Sequence, residues 1–109
     1  MVYNKKAIKK YQANHPERVK IHRRKRALSR YGLTLADYDR ILAGQEGACA
    51  ICYTDTPGGP GGRFAVDHDH ATGVVRGLLC SRCNFVLGYA KEDPDVLSRA
   101  IQYLREHRA

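Results

Sequence analysis

A chain of 109 residues has room for one small domain, whose limited apolar core would gain from a metal ion as a structural staple. The sequence contains no apolar run long enough to span a membrane, and residues 1–6 lack the apolar stretch of a signal peptide. A net charge of +8 favours polyanionic partners, and we expect an intracellular, cytoplasmic and reducing environment.

The positive charge is concentrated at the N-terminus. Residues 1–32 contain 11 Lys and Arg against one acid, whereas residues 33–109 contain 8 basic and 10 acidic side chains. Pro16 divides this stretch into two predicted helices, with Asn14 as the cap of the second. A solvated basic helix or a membrane-surface segment is the alternative, but the stretch lacks the bulky apolar face that membrane insertion needs. We predict a basic arm over residues 1–32 that contacts nucleic acid, chiefly through its densest basic run: Arg23, Arg24, Lys25 and Arg26.

After the basic arm, a further helix is predicted to begin after Thr34. The Thr34 hydroxyl and the Asp37 carboxylate have the spacing of a capping box. Gly44 and Gly47 are expected to end it. The following span over residues 56–62 is rich in glycine and proline and is predicted to be a loop.

The second half of the chain predicts a β-hairpin followed by two helices. Residues 63–66 and 74–77 are the expected strands, and a short helix is expected over residues 83–88. A final helix should be capped by Asp93, with Pro94 at its first position. Its expected buried stripe consists of Leu97, Ala100, Ile101 and Leu104. The sequence therefore predicts an α+β fold.

The four cysteines form two Cys-x-x-Cys pairs, Cys49 with Cys52 and Cys80 with Cys83. Two disulfides would be usual in a small secreted domain, but nothing in the sequence indicates secretion. The spacing is typical of zinc sites, and four thiolates complete a tetrahedron without an open position. We predict a structural Zn²⁺ site that joins the segment before the loop to the segment after the hairpin.

Between the cysteine pairs lies the run Asp67-His68-Asp69-His70. Because the thiolates already satisfy a zinc ion, His68 is available as a general base that activates water. The Asp67 carboxylate suits Mg²⁺ or Mn²⁺, and the Asn84 amide is a second plausible ligand. Neighbouring strand residues point to opposite faces, so Asp67 and His68 need a bend or a strand end to converge. A surface Asp-His pair without a role is the alternative.

Two further side chains near this run have two interpretations each. His70 is predicted either to contact a substrate phosphate or to orient His68. The alternative to direct catalysis is that His70 and Asp69 only support the site through hydrogen bonds. Arg76 binds a phosphate bidentately or balances Asp69 across the hairpin.

Residues 49–104 resemble the phage recombination endonuclease VII family, within the His-Me finger (HNH, ββα-metal) nucleases. The resemblance rests on six motifs: Cys-Ala-Ile-Cys at 49–52, Val-Asp-His-Asp-His at 66–70, Thr-Gly-Val-Val-Arg-Gly-Leu-Leu-Cys at 72–80, Cys-Asn at 83–84, Leu-Gly at 87–88 and Tyr-Leu at 103–104. It implies a zinc-stapled ββα-metal nuclease domain over residues 33–109, behind the basic helical extension. It also implies that Asp67 and Asn84 bind the catalytic divalent ion, that His68 is the general base and that the four cysteines bind zinc.

The family pattern is not complete. The best-studied member has a histidine two residues before its Asp and an acid three residues after its Asn, where this chain has Ala65 and Leu87. The chain also lacks that member's long C-terminal region. We therefore expect the cleavage chemistry to carry over better than the resolution of four-way junctions.

The resemblance implies a metal-dependent DNA endonuclease of phage or prophage origin that acts on branched or duplex DNA, with a homodimer as the assembly the family favours. One alternative is an HNH nickase or homing-type endonuclease on duplex DNA. Another is a non-catalytic zinc-ribbon protein that binds nucleic acid. Composition does not distinguish DNA from RNA.

Overall fold

The computed structural model describes residues 6, 9 and 13–108, and the first helix predicted for the basic arm lies largely outside them. The chain divides into two compact units, Met1–Ile41 and Leu42–Ala109. The predicted division between residues 32 and 33 was based on charge and stays a prediction.

The first unit contains helix α1, Pro16–Ser29, and most of helix α2, Leu35–Gly44. Pro16 lies in the first turn of α1, where its missing N–H breaks no helical hydrogen bond. The cap residue is His15, without a side-chain cap bond, so the predicted cap Asn14 is wrong.

The capping box predicted for α2 is confirmed. The Thr34 backbone N–H donates to Asp37 Oδ2 at 2.9 Å, and the Asp37 N–H donates to Thr34 Oγ1 at 3.1 Å. These two bonds satisfy backbone donors that the first helical turn leaves without partners. They also lower the pKa of the Asp37 carboxyl below its usual value.

The second unit is built on an antiparallel hairpin of strands β1, Ala65–His68, and β2, Val75–Leu79. Both strands lie one or two residues further along the chain than predicted. The buried side chains Phe64, Leu78 and Leu79 belong to the core of this unit, together with the buried thiols Cys49 and Cys80.

Helix α3, Ser81–Tyr89, follows β2 directly and packs against both strands. It includes the predicted residues 83–88 and begins two residues earlier, with Cys80 as its cap. The hairpin and α3 form a ββα arrangement. The fold is therefore a small α+β fold, as predicted, with four helices and one two-stranded sheet among the described elements; a short 3₁₀ turn over Pro60–Gly62 lies within the predicted loop.

The final helix, α4, spans Pro94–Glu106 and begins as predicted. The Asp93 side chain accepts a hydrogen bond from the Asp95 N–H at 2.9 Å, and Pro94 follows the cap. The predicted buried stripe is wrong, because Leu97 is only half-buried and Ile101 and Leu104 are 50% and 67% exposed. No other described helix or strand of this unit packs closely against α4, so its apolar face remains on the surface.

The described helices include none that is both long enough and apolar enough to cross a bilayer.

Candidate functional site

The four cysteine sulfur atoms converge into one group, here called the cysteine cluster: Cys49, Cys52, Cys80 and Cys83. All four are free thiols, and their sulfur atoms lie within 4.8 Å of one another. Cys52 Sγ and Cys80 Sγ are 3.6 Å apart. Sulfur ligands at about 2.3 Å from a tetrahedral zinc ion are separated by about 3.8 Å. The cluster therefore has the donor set and spacing to hold a structural zinc ion.

Backbone N–H groups point at the sulfurs of this cluster. The Ile51 N–H donates to Cys49 Sγ and the Cys83 N–H donates to Cys80 Sγ, both at 3.4 Å. Burial acts to raise the pKa of Cys49, but hydrogen bonds to the backbone of Cys52, Cys80 and Ile51 outweigh it and lower the pKa to about 6. Burial and the neighbouring thiols raise the pKa of Cys83 to about 12. Four thiolates this close together need a cation, which agrees with a metal site.

Gln45 connects the first cysteine pair to strand β2. Its amide nitrogen donates to Ala48 O at 2.8 Å and to Leu78 O at 2.9 Å, and its Oε1 accepts from the Leu78 N–H at 2.9 Å. A side chain at Gly77 would place its Cβ 3.1 Å from Gln45 Oε1, so this buried position suits glycine. These bonds hold the segment around Cys49 against the hairpin independently of a metal.

The hairpin register changes at the predicted catalytic pair. Asp67 pairs with Gly77 and His68 pairs with Val75, which leaves Arg76 as an extra residue on β2. This is a β-bulge, and a bulge bends the strand and redirects side chains. It supplies the irregularity that Asp67 and His68 need if both are to act on one group. The residues beside this bulge are here called the hairpin cluster: Asp67, His68, His70, Arg76 and Glu92.

Within the hairpin cluster, Arg76 bridges two carboxylates. Its Nε donates to Asp67 Oδ2 at 2.7 Å and its Nη2 donates to Asp67 Oδ1 at 2.8 Å. Nη2 also donates to Glu92 Oε1 at 2.6 Å. The hydrogen bonds to Asp67 and then Glu92 raise the pKa of Arg76 further above its usual value. A carboxylate has about four lone-pair sites, so the Arg76 fork leaves the buried Asp67 room for another ligand.

The two histidines of the hairpin cluster lie against each other. The ring centroids of His68 and His70 are 4.9 Å apart and the ring planes differ by 26°. His70 Nε2 lies 3.7 Å from Glu92 Oε1. The structure thus places His70 beside His68, as one of its two predicted roles requires.

Asp69 shapes the turn between the strands. Its Oδ1 accepts from the Ala71 N–H at 2.8 Å and from the Thr72 N–H at 3.0 Å. The bonds from Thr72 and Ala71 lower the pKa of Asp69, and the charge of Arg76 contributes to the same shift. Arg76 makes its hydrogen bonds to Asp67 and Glu92, so Asp69 supports the turn and receives only a long-range contribution from Arg76.

Asn84 is exposed on α3, one residue after Cys83. Its backbone N–H donates to Cys80 O at 3.0 Å, inside the first turn of the helix. This fixes the Asn84 backbone relative to the cysteine cluster. No described hydrogen bond joins its side chain to the hairpin cluster, so its role as a ligand stays a prediction.

The four predicted nucleic-acid contacts of the arm differ in exposure. Arg23, Lys25 and Arg26 are exposed on α1. Arg24 is half-buried, with its guanidinium carbon 4.4 Å from the centre of the Tyr38 ring. This cation–π contact withdraws Arg24 from the exposed face of α1.

Sequence reasoning missed Gln45 and Glu92. Gln45 follows a helix end and carries no motif, so nothing local predicts its bonds to β2. The sequence shows Glu92 as an acidic residue directly before the Asp93 cap. Its contacts with Arg76 and His70 could not be predicted, because they depend on how α3 ends. Only the pairing of chain segments distant in sequence brings these side chains together.

Comparison with known proteins identifies a family and two relatives of this chain. The sequence profile of the recombination endonuclease VII family matches residues 24–106. The chain is 48% identical over 82 residues to the Gene 59 protein of Mycobacterium phage D29, covering 74% of this chain and 48% of that protein. It is 46% identical over 80 residues to the Gene 59 protein of Mycobacterium phage L5, covering 72% and 48%.

The chain spans about half the length of these curated relatives. No solved structure gives a significant match to it. The family profile covers most of the chain, including the cysteine cluster and the hairpin cluster. The chain therefore belongs to the recombination endonuclease VII family.

Proposed function

We propose that this chain is a divalent-metal-dependent DNA endonuclease that hydrolyses phosphodiester bonds. Membership of a nuclease family supports the reaction class. The observation that carries the proposal is the β-bulge at Asp67 and His68, beside the stacked His70 and the Arg76 fork. This polar group is separate from the cysteine cluster, so the zinc site does not compete for it.

His68 is the general base in this proposal. Its imidazole accepts a proton from the water that attacks the scissile phosphate. The His70 ring, 4.9 Å away between centroids, restricts the orientation of the His68 ring. Hydrolysis that breaks the bond to the 3′-oxygen would give 5′-phosphate and 3′-hydroxyl ends.

Asp67 and Asn84 would hold a Mg²⁺ or Mn²⁺ ion, because carboxylate and amide oxygens are hard donors. When bound, such an ion would act as a Lewis acid and stabilise negative charge on the phosphate and the leaving oxygen. Asp67 fits as a donor because the Arg76 fork orients its carboxylate and leaves lone pairs available.

Arg76 itself would contact the DNA backbone. Its Nη1 takes no part in the three hydrogen bonds to Asp67 and Glu92, and the side chain is 39% exposed. A guanidinium fixed on two sides by carboxylates offers a preorganised donor for a phosphate oxygen.

Further DNA affinity would come from helix α1. Arg23, Lys25 and Arg26 are exposed there, and charge of this kind binds the DNA backbone with little dependence on sequence. The Tyr38 contact of Arg24 leaves the other three as the main proposed contacts. This is the basis for proposing residues 1–32 as a DNA-binding arm and residues 33–109 as the nuclease domain.

The substrate is proposed to be branched or duplex DNA, and a nickase or homing-type activity on duplex DNA is the variant that differs only in substrate. A homodimer is the proposed assembly, and the exposed apolar residues Ile101 and Leu104 of α4 are available for it. The proposed location is the cytoplasm of a phage-infected cell, consistent with relatives from Mycobacterium phages.

The proposal is tested by cleavage of supercoiled plasmid, linear duplex and a synthetic four-way junction with Mg²⁺, Mn²⁺ or EDTA. We expect cleavage only with a divalent ion, and the preferred substrate separates a junction-cleaving enzyme from a nickase. DNA binding without cleavage of any substrate would favour a non-catalytic zinc-dependent nucleic-acid-binding protein.

A further inference from the structure

Glu92 contacts two other residues of the hairpin cluster, Arg76 and His70. Its Oε1 accepts from Arg76 Nη2 at 2.6 Å and lies 3.7 Å from His70 Nε2. Arg76 in turn forks onto Asp67, and His70 stacks on His68. One carboxylate oxygen thus reaches both Asp67 and His68 through a single intermediate side chain each. The side chain of Glu92 is 23% exposed, so these contacts are partly shielded from water.

The backbone at Glu92 is unusual. Helix α3 ends in a Schellman motif, in which the Lys91 N–H donates to Gly88 O at 3.0 Å and the Glu92 N–H donates to Leu87 O at 2.9 Å. This motif requires one residue in the left-handed region, and Lys91 supplies it with φ 54°. Glu92 is also left-handed, with φ 56°, and Lys91 and Glu92 are the central residues of a turn that the Asp93 N–H closes by donating to Ala90 O at 3.1 Å.

A left-handed conformation is unfavourable for a residue with a side chain, and such strain tends to persist where surrounding contacts hold it. Glycine would be the ordinary choice at this position if only the chain reversal mattered. The glutamate keeps a carboxylate at the point where Arg76 and His70 meet. The turn sets the backbone conformation, and the contacts of the carboxylate with Arg76 and His70 account for a glutamate where glycine would be less strained.

We propose that Glu92 is a positioning residue of the nuclease site, which fixes the Arg76 guanidinium against Asp67 and the His70 ring against His68. This proposal rests on the proposed function for its consequence in catalysis. Arg76 Nη2 donates to Asp67 and to Glu92 at once, so Glu92 prevents the guanidinium from turning away from the plane of the Asp67 carboxylate. A residue that orients a ligand or a base in this way affects the rate without touching the substrate.

Two substitutions separate the effect of the length of the Glu92 side chain from the effect of its charge. Glu92→Gln keeps the length and removes the charge, whereas Glu92→Asp keeps the charge and shortens the side chain by about 1.5 Å. Both should lower cleavage on the order of 10- to 100-fold, the usual effect of removing a residue that orients a metal ligand. Glu106→Gln is the matched control, because it removes an equal charge from the exposed end of α4.

A second readout does not depend on cleavage. The Arg76 Nε–H, bonded to Asp67 Oδ2 at 2.7 Å, gives a ¹H–¹⁵N signal that Arg76→Lys identifies by its loss. Exchange of this proton with water should be about tenfold faster in Glu92→Gln and Glu92→Asp than in the wild type or in Glu106→Gln. Wild-type exchange in both variants would overturn the proposal. A wild-type rate in Glu92→Asp alone would show that only the charge of Glu92 matters, and it would overturn positioning by direct contact.

Glu92→Gly separates positioning from folding. Glycine relieves the left-handed strain, so this variant should melt at or above the wild-type temperature while its Arg76 proton exchanges faster and its cleavage falls. Wild-type cleavage and exchange in Glu92→Gly would contradict the proposal. If the wild-type protein does not cut DNA at all, the proposed function fails, and the exchange of the Arg76 proton still decides the role of Glu92.

Discussion

The cysteine cluster and the hairpin cluster lie at opposite ends of the same β-hairpin. Cys80 directly follows Leu79, which pairs with Ala65 at the open end, whereas His68 pairs with Val75 near the turn. The cysteine cluster contains two fully buried thiols. The hairpin cluster lies at the surface, with His70 66% and Arg76 39% exposed at the side chain.

The two clusters also differ in donor chemistry. Four sulfur donors leave no open position around a tetrahedral ion, which suits a structural role. The hairpin cluster offers oxygen and nitrogen donors, and ion pairs of Arg76 hold two of its carboxylates. This difference is the basis for proposing a structural role at the cysteine end of the hairpin and a catalytic role at the end with the hairpin cluster.

The largest expected effect is the loss of the fold on removal of a cysteine ligand. Binding of structural zinc contributes about 10–16 kcal/mol, which is comparable to the whole stability of a small domain. Cys80→Ser should therefore abolish zinc binding and the cooperative thermal transition, as measured by metal analysis and circular dichroism. Chelation of the wild-type protein should do the same and reverse when Zn²⁺ is added. A Cys80→Ser variant with native spectra and no zinc would show that the cysteine cluster does not stabilise the fold.

The next effect concerns binding without either cluster. Replacing Arg23, Lys25 and Arg26 by glutamine should weaken DNA binding and reduce the slope of log K against log salt by roughly 3, if each contacts one phosphate. Replacing Arg99, Arg105 and Arg108 by glutamine is the control, because it changes the net charge by the same amount. Equal slopes in the two triple variants would mean that α1 acts only through net charge.

Gln45 tests whether the cysteine end is held by more than metal. Gln45→Ala removes three hydrogen bonds to Ala48 and Leu78 and should lower the free energy of unfolding of the zinc-bound protein by about 2 kcal/mol. Gln102→Ala is the control, because the Gln102 amide bonds only to Glu106 on the exposed surface of α4. Denaturant unfolding measures both, and equal stabilities would assign the whole connection to zinc.

The smallest effect is expected at the turn beside the hairpin cluster. Asp69 accepts two backbone N–H bonds, which hold its pKa below the usual value. Since a depressed carboxyl pKa stabilises the folded state only above the unfolded value of 3.8, this contribution is fully present at neutral pH. Thermal midpoints at pH 7 should fall in the order wild type, Asp69→Asn, Asp69→Ala. A reversed order would show that the Asp69 side chain does not stabilise the turn.

Local chemistry explains what the sequence could predict. The Thr34–Asp37 capping box, the Asp93–Pro94 helix start and the convergence of the two Cys-x-x-Cys pairs each depend on residues a few positions apart. Their spacing alone sets the geometry, and all three are present in the structure.

What the sequence could not predict depends on long-range pairing. The bulge at Arg76 follows from the register of β1 and β2, and the Glu92 contacts follow from a left-handed residue after α3. The apolar face of α4 has the periodicity of a buried helix, yet periodicity does not specify a partner, and Leu104 is exposed.

The central claim is that His68 performs the cleavage chemistry while the cysteine cluster maintains the fold. Its most direct test compares wild type with His68→Ala in cleavage of plasmid and four-way junction with Mg²⁺ or Mn²⁺. We expect a loss of cleavage of roughly 10²- to 10⁴-fold in His68→Ala, with unchanged zinc content, thermal midpoint and DNA affinity. Cleavage by His68→Ala at a rate close to the wild type would contradict it.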